Sequence, residues 1–228
     1  MIFKQLVDSE TSTYTYLLAD EKTKEAVIID PVLEQVERDT NLIKELWLTL
    51  THILDTHVHA DHITWSGELR QKFPDSKIAL WKENNLSCAN LQLEQSDIIS
   101  FWKHSLEVIT NPWHTAGCVS FKLGSMIFTW DLLMIRTAWR TDFQAGSSEQ
   151  MYHNIQEKIY TLPDDTIIYP WHDYNGFTSS TVWEEKKYNS LITQNTSLKD
   201  FSDAMNNLNL AYPKKIDISL PANKKCWE

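Results

Sequence analysis

Three short runs at the start of the chain, MIFKQLV, STYTYLLAD and EAVIID, are rich in β-branched and aromatic residues, as strands are. The polar EKTK separates the last two as a turn. Residues 34–46 set Val36, Leu42, Ile43 and Leu46 among charges, which predicts an amphipathic helix. LTHILDT (50–56) reads as a buried strand that delivers the chain to His57. Beyond it the pattern predicts a helix over 65–73 and strands over 77–81, 106–110, 118–123 and 126–130, the last two joined by a tight turn at Leu123-Gly124-Ser125. A helix over 148–161, a strand at TIIYP (166–170) and a helix over 181–191 follow. The tail, 196–228, reads as a short helix and then an extended arm containing proline. Strand groups alternate with helices without a strict βαβ repeat, which predicts an α/β sandwich of two sheets flanked by helices. No internal repeat or linker interrupts the 228 residues, so residues 1–228 read as a single domain.

Composition narrows the functional classes. A net charge of −10 lacks the basic surface that nucleic acid requires, so no nucleic-acid partner is expected. No stretch approaches the ~20 apolar residues of a membrane span, and MIFKQLVDSE has no basic-then-apolar leader pattern; a cytoplasmic protein without a membrane partner is expected. Three scattered cysteines, Cys88, Cys118 and Cys226, point to reduced thiols in a reducing compartment.

The strongest chemical signal is Thr56-His57-Val58-His59-Ala60-Asp61-His62, four metal-competent side chains directly after a hydrophobic strand. At a strand end the chain leaves the sheet and can turn these groups onto one centre. Imidazole nitrogen and carboxylate oxygen together suit Zn, Fe or Mn. Three more candidates also follow apolar runs: His114 after ITNPW, Asp131 after MIFTW and His172 after TIIYPW. Singly, each histidine could be a hydrogen-bonded structural residue and Asp131 a helix cap; the repeated strand-then-ligand pattern makes them a set.

HVHADH followed by His114, Asp131 and His172 resembles the metallo-β-lactamase superfamily. Within it THVHADHITWSG, HTAGCVSF, IRTAWRTDFQAG, EKIYTLP, IIYPWHDYNGFTSSTVWEE and LPANKKC resemble the persulfide dioxygenases, a glyoxalase-II-like branch. The resemblance implies the αββα metallo-β-lactamase fold and one Fe(II) per chain, held by His57, His114 and Asp131. Such a two-histidine, one-carboxylate set leaves positions open for O₂ and substrate. His59, Asp61, His62 and His172 then become the remnant of a second metal site that orients the ligands. The implied reaction converts glutathione persulfide, O₂ and water to sulfite and glutathione, with Arg140, Tyr174 and Lys225 as substrate-binding residues. A homodimer is one expected assembly. Two alternatives stay open: a hydroxyacylglutathione hydrolase, a thioesterase using two metals such as Zn, and a non-catalytic binding protein with a degenerate site.

The chain has 10 Trp and 5 Gly, where average usage gives roughly 16 Gly. Trp65, Trp113, Trp130, Trp139 and Trp171 stand where the resembled family carries small residues, chiefly glycine, and Trp47, Trp102, Trp183 and Trp227 look similar. If these are glycine sites, several Trp should sit at positive φ or crowd the ligands, with Trp113, Trp130 and Trp171 the worst placed.

Overall fold

The computed structural model describes residues 1–84, 86, 88–113, 117–142, 146–208 and 215–225. The strands are β1 (Ile2–Asp8), β2 (Thr13–Ala19), β3 (Glu25–Ile29), β4 (Thr49–Leu54), β5 (Lys77–Trp81), β6 (Leu91–Leu93), β7 (Ile98–Phe101), β8 (His104–Thr110), β9 (Val119–Leu123), β10 (Met126–Phe128), β11 (Ile167–Tyr169) and β12 (Ser180–Thr181). The helices are α1 (Val36–Glu45), α2 (Ser66–Lys72), α3 (Ser148–Asn154), α4 (Val182–Tyr188), α5 (Leu198–Asn206) and α6 (Ile216–Asn223). Two six-stranded sheets result, in the orders β1-β2-β3-β4-β5-β6 and β12-β11-β10-β9-β8-β7. Both mix antiparallel hairpins with parallel pairs, β3-β4-β5-β6 in the first and β10-β11 in the second.

Two compact units divide the described chain: Met1–Leu106 with the segment carrying α6, and Glu107–Ala211. In the first, β2 is buried along its whole length, and Leu17, Ile28 and Ile53 from neighbouring strands pack with Ile43 of α1 and Leu69 of α2. Each such fully buried aliphatic side chain contributes about 1.5–3 kcal/mol. In the second, Ile127, Ile155, Ile159, Ile168, Val182 and Phe201 form a separate core under α3, α4 and α5. Starts of helices are set by side chains: Thr181 and Glu184 close a capping box on α4, and Ser147 and Ser197 cap α3 and α5.

Three expectations change. The helix expected over 148–161 is α-helical only to Asn154, then continues as a π-helical turn, Ile155–Ile159. The expected extended arm instead contains α6, with Pro221 inside it. The proline removes one N–H, but the carbonyl deprived is that of exposed Asp217, which water can reach. Cys88 is disulfide-bonded, so the expectation of three reduced thiols fails there, because distance in sequence does not prevent cysteines from converging. Cys118 is a buried thiol outside any disulfide, and Cys226 lies outside the described residues. Among the described residues no helix is long and apolar enough to cross a membrane.

Candidate metal centre

The first unit builds its cluster from parallel register. Ile29 of β3 pairs with Leu54 of β4, so the next residues, Asp30 and Asp55, leave the sheet at one level. The Asp30 N–H donates to the Leu54 carbonyl at 2.8 Å. Asp30 Oδ1 accepts from the Thr56 N–H at 2.7 Å and lies 3.0 Å from His59 Nε2, while Oδ2 accepts from Thr56 Oγ1 at 2.8 Å. Asp55 accepts from Ser66 Oγ at 2.7 Å. Burial raises the Asp30 carboxyl to about 7; burial and then the neighbouring Asp30 charge raise Asp55 to about 8.

Above this layer of carboxylates the histidines converge. The His57 and His59 rings are 4.0 Å apart between centroids, and those of His59 and His62 are 4.4 Å apart. His57, His59 and His62 are all buried; Asp61 is partly exposed, with Oδ2 3.1 Å from His62 Nδ1. One ligand atom each from His59, Asp61 and His62 falls within 4.8 Å of the others, a donor set that fits a metal ion. Asn223 of α6 holds the loop's backbone. Its Nδ2 donates to the carbonyls of His59 and His62, both at 2.9 Å, and its Oδ1 accepts from the Thr64 N–H at 2.9 Å.

The second unit uses the same device differently. Phe128 of β10 pairs with Tyr169 of parallel β11, and Asp131 and His172 each lie three residues further on. Equal offsets from a paired level bring His172 Nε2 to 3.8 Å from Asp131 Oδ1, both buried. The His172 ring stacks on Trp139 (5.0 Å, 12°) and on exposed Tyr174 (5.8 Å, 6°). Arg140 is buried and holds Asp142 bidentately, both contacts at 2.6 Å. That hydrogen bonding holds the Asp142 carboxyl below its ordinary value. Lys225 is exposed just past α6, and His114 lies outside the described residues.

Sequence reasoning missed Asp30, Asp55 and Asn223. The first two carried a readable signal, since each follows an apolar strand as Asp131 does. Asn223 carried none. The expectation for the tryptophans is met in part: Trp139 and Trp171 lie against His172, with ring centroids 5.0 and 6.2 Å away, but the strain falls at other positions than those expected. Trp65, Trp113 and Trp171 are fully buried and not at positive φ; the side chain of Trp130 lies outside the described ones. Among the described residues the tryptophans at positive φ are Trp47 and Trp102, at 56° and 55°.

The metallo-beta-lactamase superfamily model matches residues 9–172. The human protein named mitochondrial persulfide dioxygenase ETHE1 is 47% identical over 228 residues, covering 99% of this chain and 89% of its own. The crystal structure of ETHE1 from Myxococcus xanthus superposes with a TM-score of 0.95 at 47% identity, covering the whole of both chains. The chain belongs to the persulfide dioxygenase family. Members of the hydrolase branch are further away: the Schizosaccharomyces pombe protein named probable hydroxyacylglutathione hydrolase glo2 is 29% identical over 192 residues, covering 79% of this chain and 73% of its own. Within the persulfide dioxygenase family the metallo-β-lactamase fold accounts for the two mixed sheets.

Proposed function

We propose that this protein oxidises glutathione persulfide: GSSH + O₂ + H₂O gives GSH + SO₃²⁻ + 2 H⁺, the terminal sulfur losing four electrons and O₂ gaining them. The supporting observation is 47% identity to the persulfide dioxygenase relatives along the full chain, against 29% over a shorter stretch for the hydrolase. One ferrous ion per chain, bound by His57, His114 and Asp131, would supply the redox chemistry that joins O₂ to sulfur. The whole chain would act as a single catalytic domain, with a homodimer as the proposed assembly.

The chain's own residues prepare that site. Asp30, 3.0 Å from His59 Nε2, fixes the ring's orientation and its tautomer. Asp61 does the same for His62, and Asp131 lies beside His172. Trp139 and Tyr174 flank His172 with flat apolar faces and keep water from it. Arg140 would meet a carboxylate of glutathione with its planar fork, which Asp142 now holds in one orientation. Tyr174 and Lys225 are exposed and able to contact the peptide portion of the substrate.

The second reading, the two-metal hydroxyacylglutathione hydrolase, is favoured by one observation: His59, Asp61 and His62 still form a cluster fit for a metal. One experiment separates these readings from a non-catalytic binding protein: anaerobic purification, metal quantification, then O₂ uptake with glutathione persulfide. One iron and stoichiometric O₂ uptake support the dioxygenase. Two metals with hydrolysis of an acylated glutathione support the hydrolase, and no metal supports the binding protein. The proposed compartment is the cytoplasm, whereas the human relative is named as mitochondrial; cell fractionation distinguishes them.

A further inference from the structure

We infer that Asn223 is a positioning residue for the metal-holding loop, an assignment that rests on the proposed metal-dependent function. Its fully engaged amide ties together three backbone groups of one loop: two carbonyls, of His59 and His62, and the N–H of Thr64. These bonds span the turn that carries Asp61 and fix His59, whose ring lies 4.0 Å from that of the proposed iron ligand His57, so they hold the loop against that ligand. The amide is buried, so water cannot replace it cheaply. In the full-length chain, Asn223→Ala should weaken Fe(II) binding by about 10–100-fold, read by chelator competition on folded protein. Asn223→Asp keeps the acceptor for Thr64 but loses both donors, and should weaken binding similarly. A variant with lower Tm but unchanged Fe(II) affinity would overturn the role and leave Asn223 a plain staple. A wild-type chain that binds no Fe(II) would overturn the functional reading itself.

The tryptophans carry a second, independent inference. At the end of α1 the Trp47 N–H donates to the Lys44 carbonyl at 3.0 Å and the Leu48 N–H to the Ile43 carbonyl at 2.9 Å. That pair of bonds, with φ 56° at Trp47, is the Schellman ending, in which the left-handed residue is ordinarily glycine. Trp102 opens the two-residue turn between β7 and β8 at φ 55°. In the matching turn between β9 and β10 the same place is taken by Gly124 at φ 58°. Trp47 is 84% exposed and Trp102 55% exposed, so neither indole is held by packing that would offset the backbone strain. An indole has no reason to be at either place; a glycine has one at both. The composition runs the same way, because the ten tryptophans and five glycines together come close to the roughly 16 glycines expected.

We propose that Trp47 and Trp102 stand at glycine positions of the native protein. Their codons are UGA, read in the source organism as glycine and written here as tryptophan, and the same codon accounts for most of the ten. Peptide mass spectrometry of the protein from its own cells should show glycine at 47 and 102; tryptophan at both, or UGG codons there, would overturn the proposal. The recombinant chain gives a second readout. Trp47→Gly and Trp102→Gly should each raise Tm by about 2–4 °C, whereas Trp47→Ala should give no gain, since any Cβ meets the same strain. A fall in Tm for both glycine variants would also overturn it.

Discussion

The two units solve one problem, bringing metal-binding groups together, in opposite ways. The first gathers His57, His59, Asp61 and His62 in a single loop and braces that loop from outside, with Asp30 and Asp55 below it and Asn223 along its backbone. Among the described residues the second brings together Asp131 and His172, 41 positions apart, through the register of β10 against β11. A contiguous loop is rich in ligands but needs external bonds to hold its shape. A pair of strand ends needs few such bonds, because the sheet already fixes their separation.

The sharpest break of this comparison is Asp131→Ala, which removes the carboxylate of the proposed ligand triad. Iron content and O₂ uptake should fall together by more than 100-fold while the fold stays intact by circular dichroism. Next is Asp30→Ala in the other unit. It strips the brace beside His59 and leaves the Thr56 N–H buried without its acceptor, so Fe(II) affinity should fall about 10–100-fold and stability by about 1–3 kcal/mol, read by chelator competition and urea unfolding. Loss of metal without loss of stability would show that the loop holds its shape unaided.

Arg140→Ala should act on substrate rather than metal. KM for glutathione persulfide should rise about tenfold, with kcat changed less, in steady-state O₂ uptake. An unchanged KM would leave Arg140 a structural partner of Asp142 and no substrate anchor. Smallest is Tyr174→Ala, which removes one of the rings stacked on His172 from an exposed position; a few-fold rise in KM and full iron content are expected. A loss of iron instead would mean that the ring holds His172 in place.

What could be read in the sequence follows the same division. The histidine loop was legible because its groups are contiguous, and Asp131 and His172 because each ends an apolar run. The strands β1 to β5 and the helix α1 were legible because their apolar periods are long enough to exceed the noise of a short window. β7 and β12 were not: IISF and ST are too short to show a period. The π-helical turn at Ile155–Ile159 keeps the apolar spacing of an ordinary helix, so the pattern cannot announce it. α6 was hidden by Pro221, and Asn223 by distance, since its partners lie 159–164 residues earlier. Asp30 and Asp55 were passed over although they follow strands, because burial beneath the histidines is a tertiary fact.

That distance has a consequence for how the protein comes into being. During synthesis the histidine loop emerges about 160 residues before the amide that ties its backbone. At roughly 5–20 residues per second, the nascent chain spends on the order of ten seconds or more displaying imidazoles whose geometry is not yet set. On the proposed reading, metal captured in that interval would meet a loose loop, and metal arriving after α6 docks would meet a shaped one. Selection of the ion would then, on the proposed role of Asn223, be an event of late folding, and a ribosome stalled short of α6 would carry a chain whose histidine loop lacks that tie.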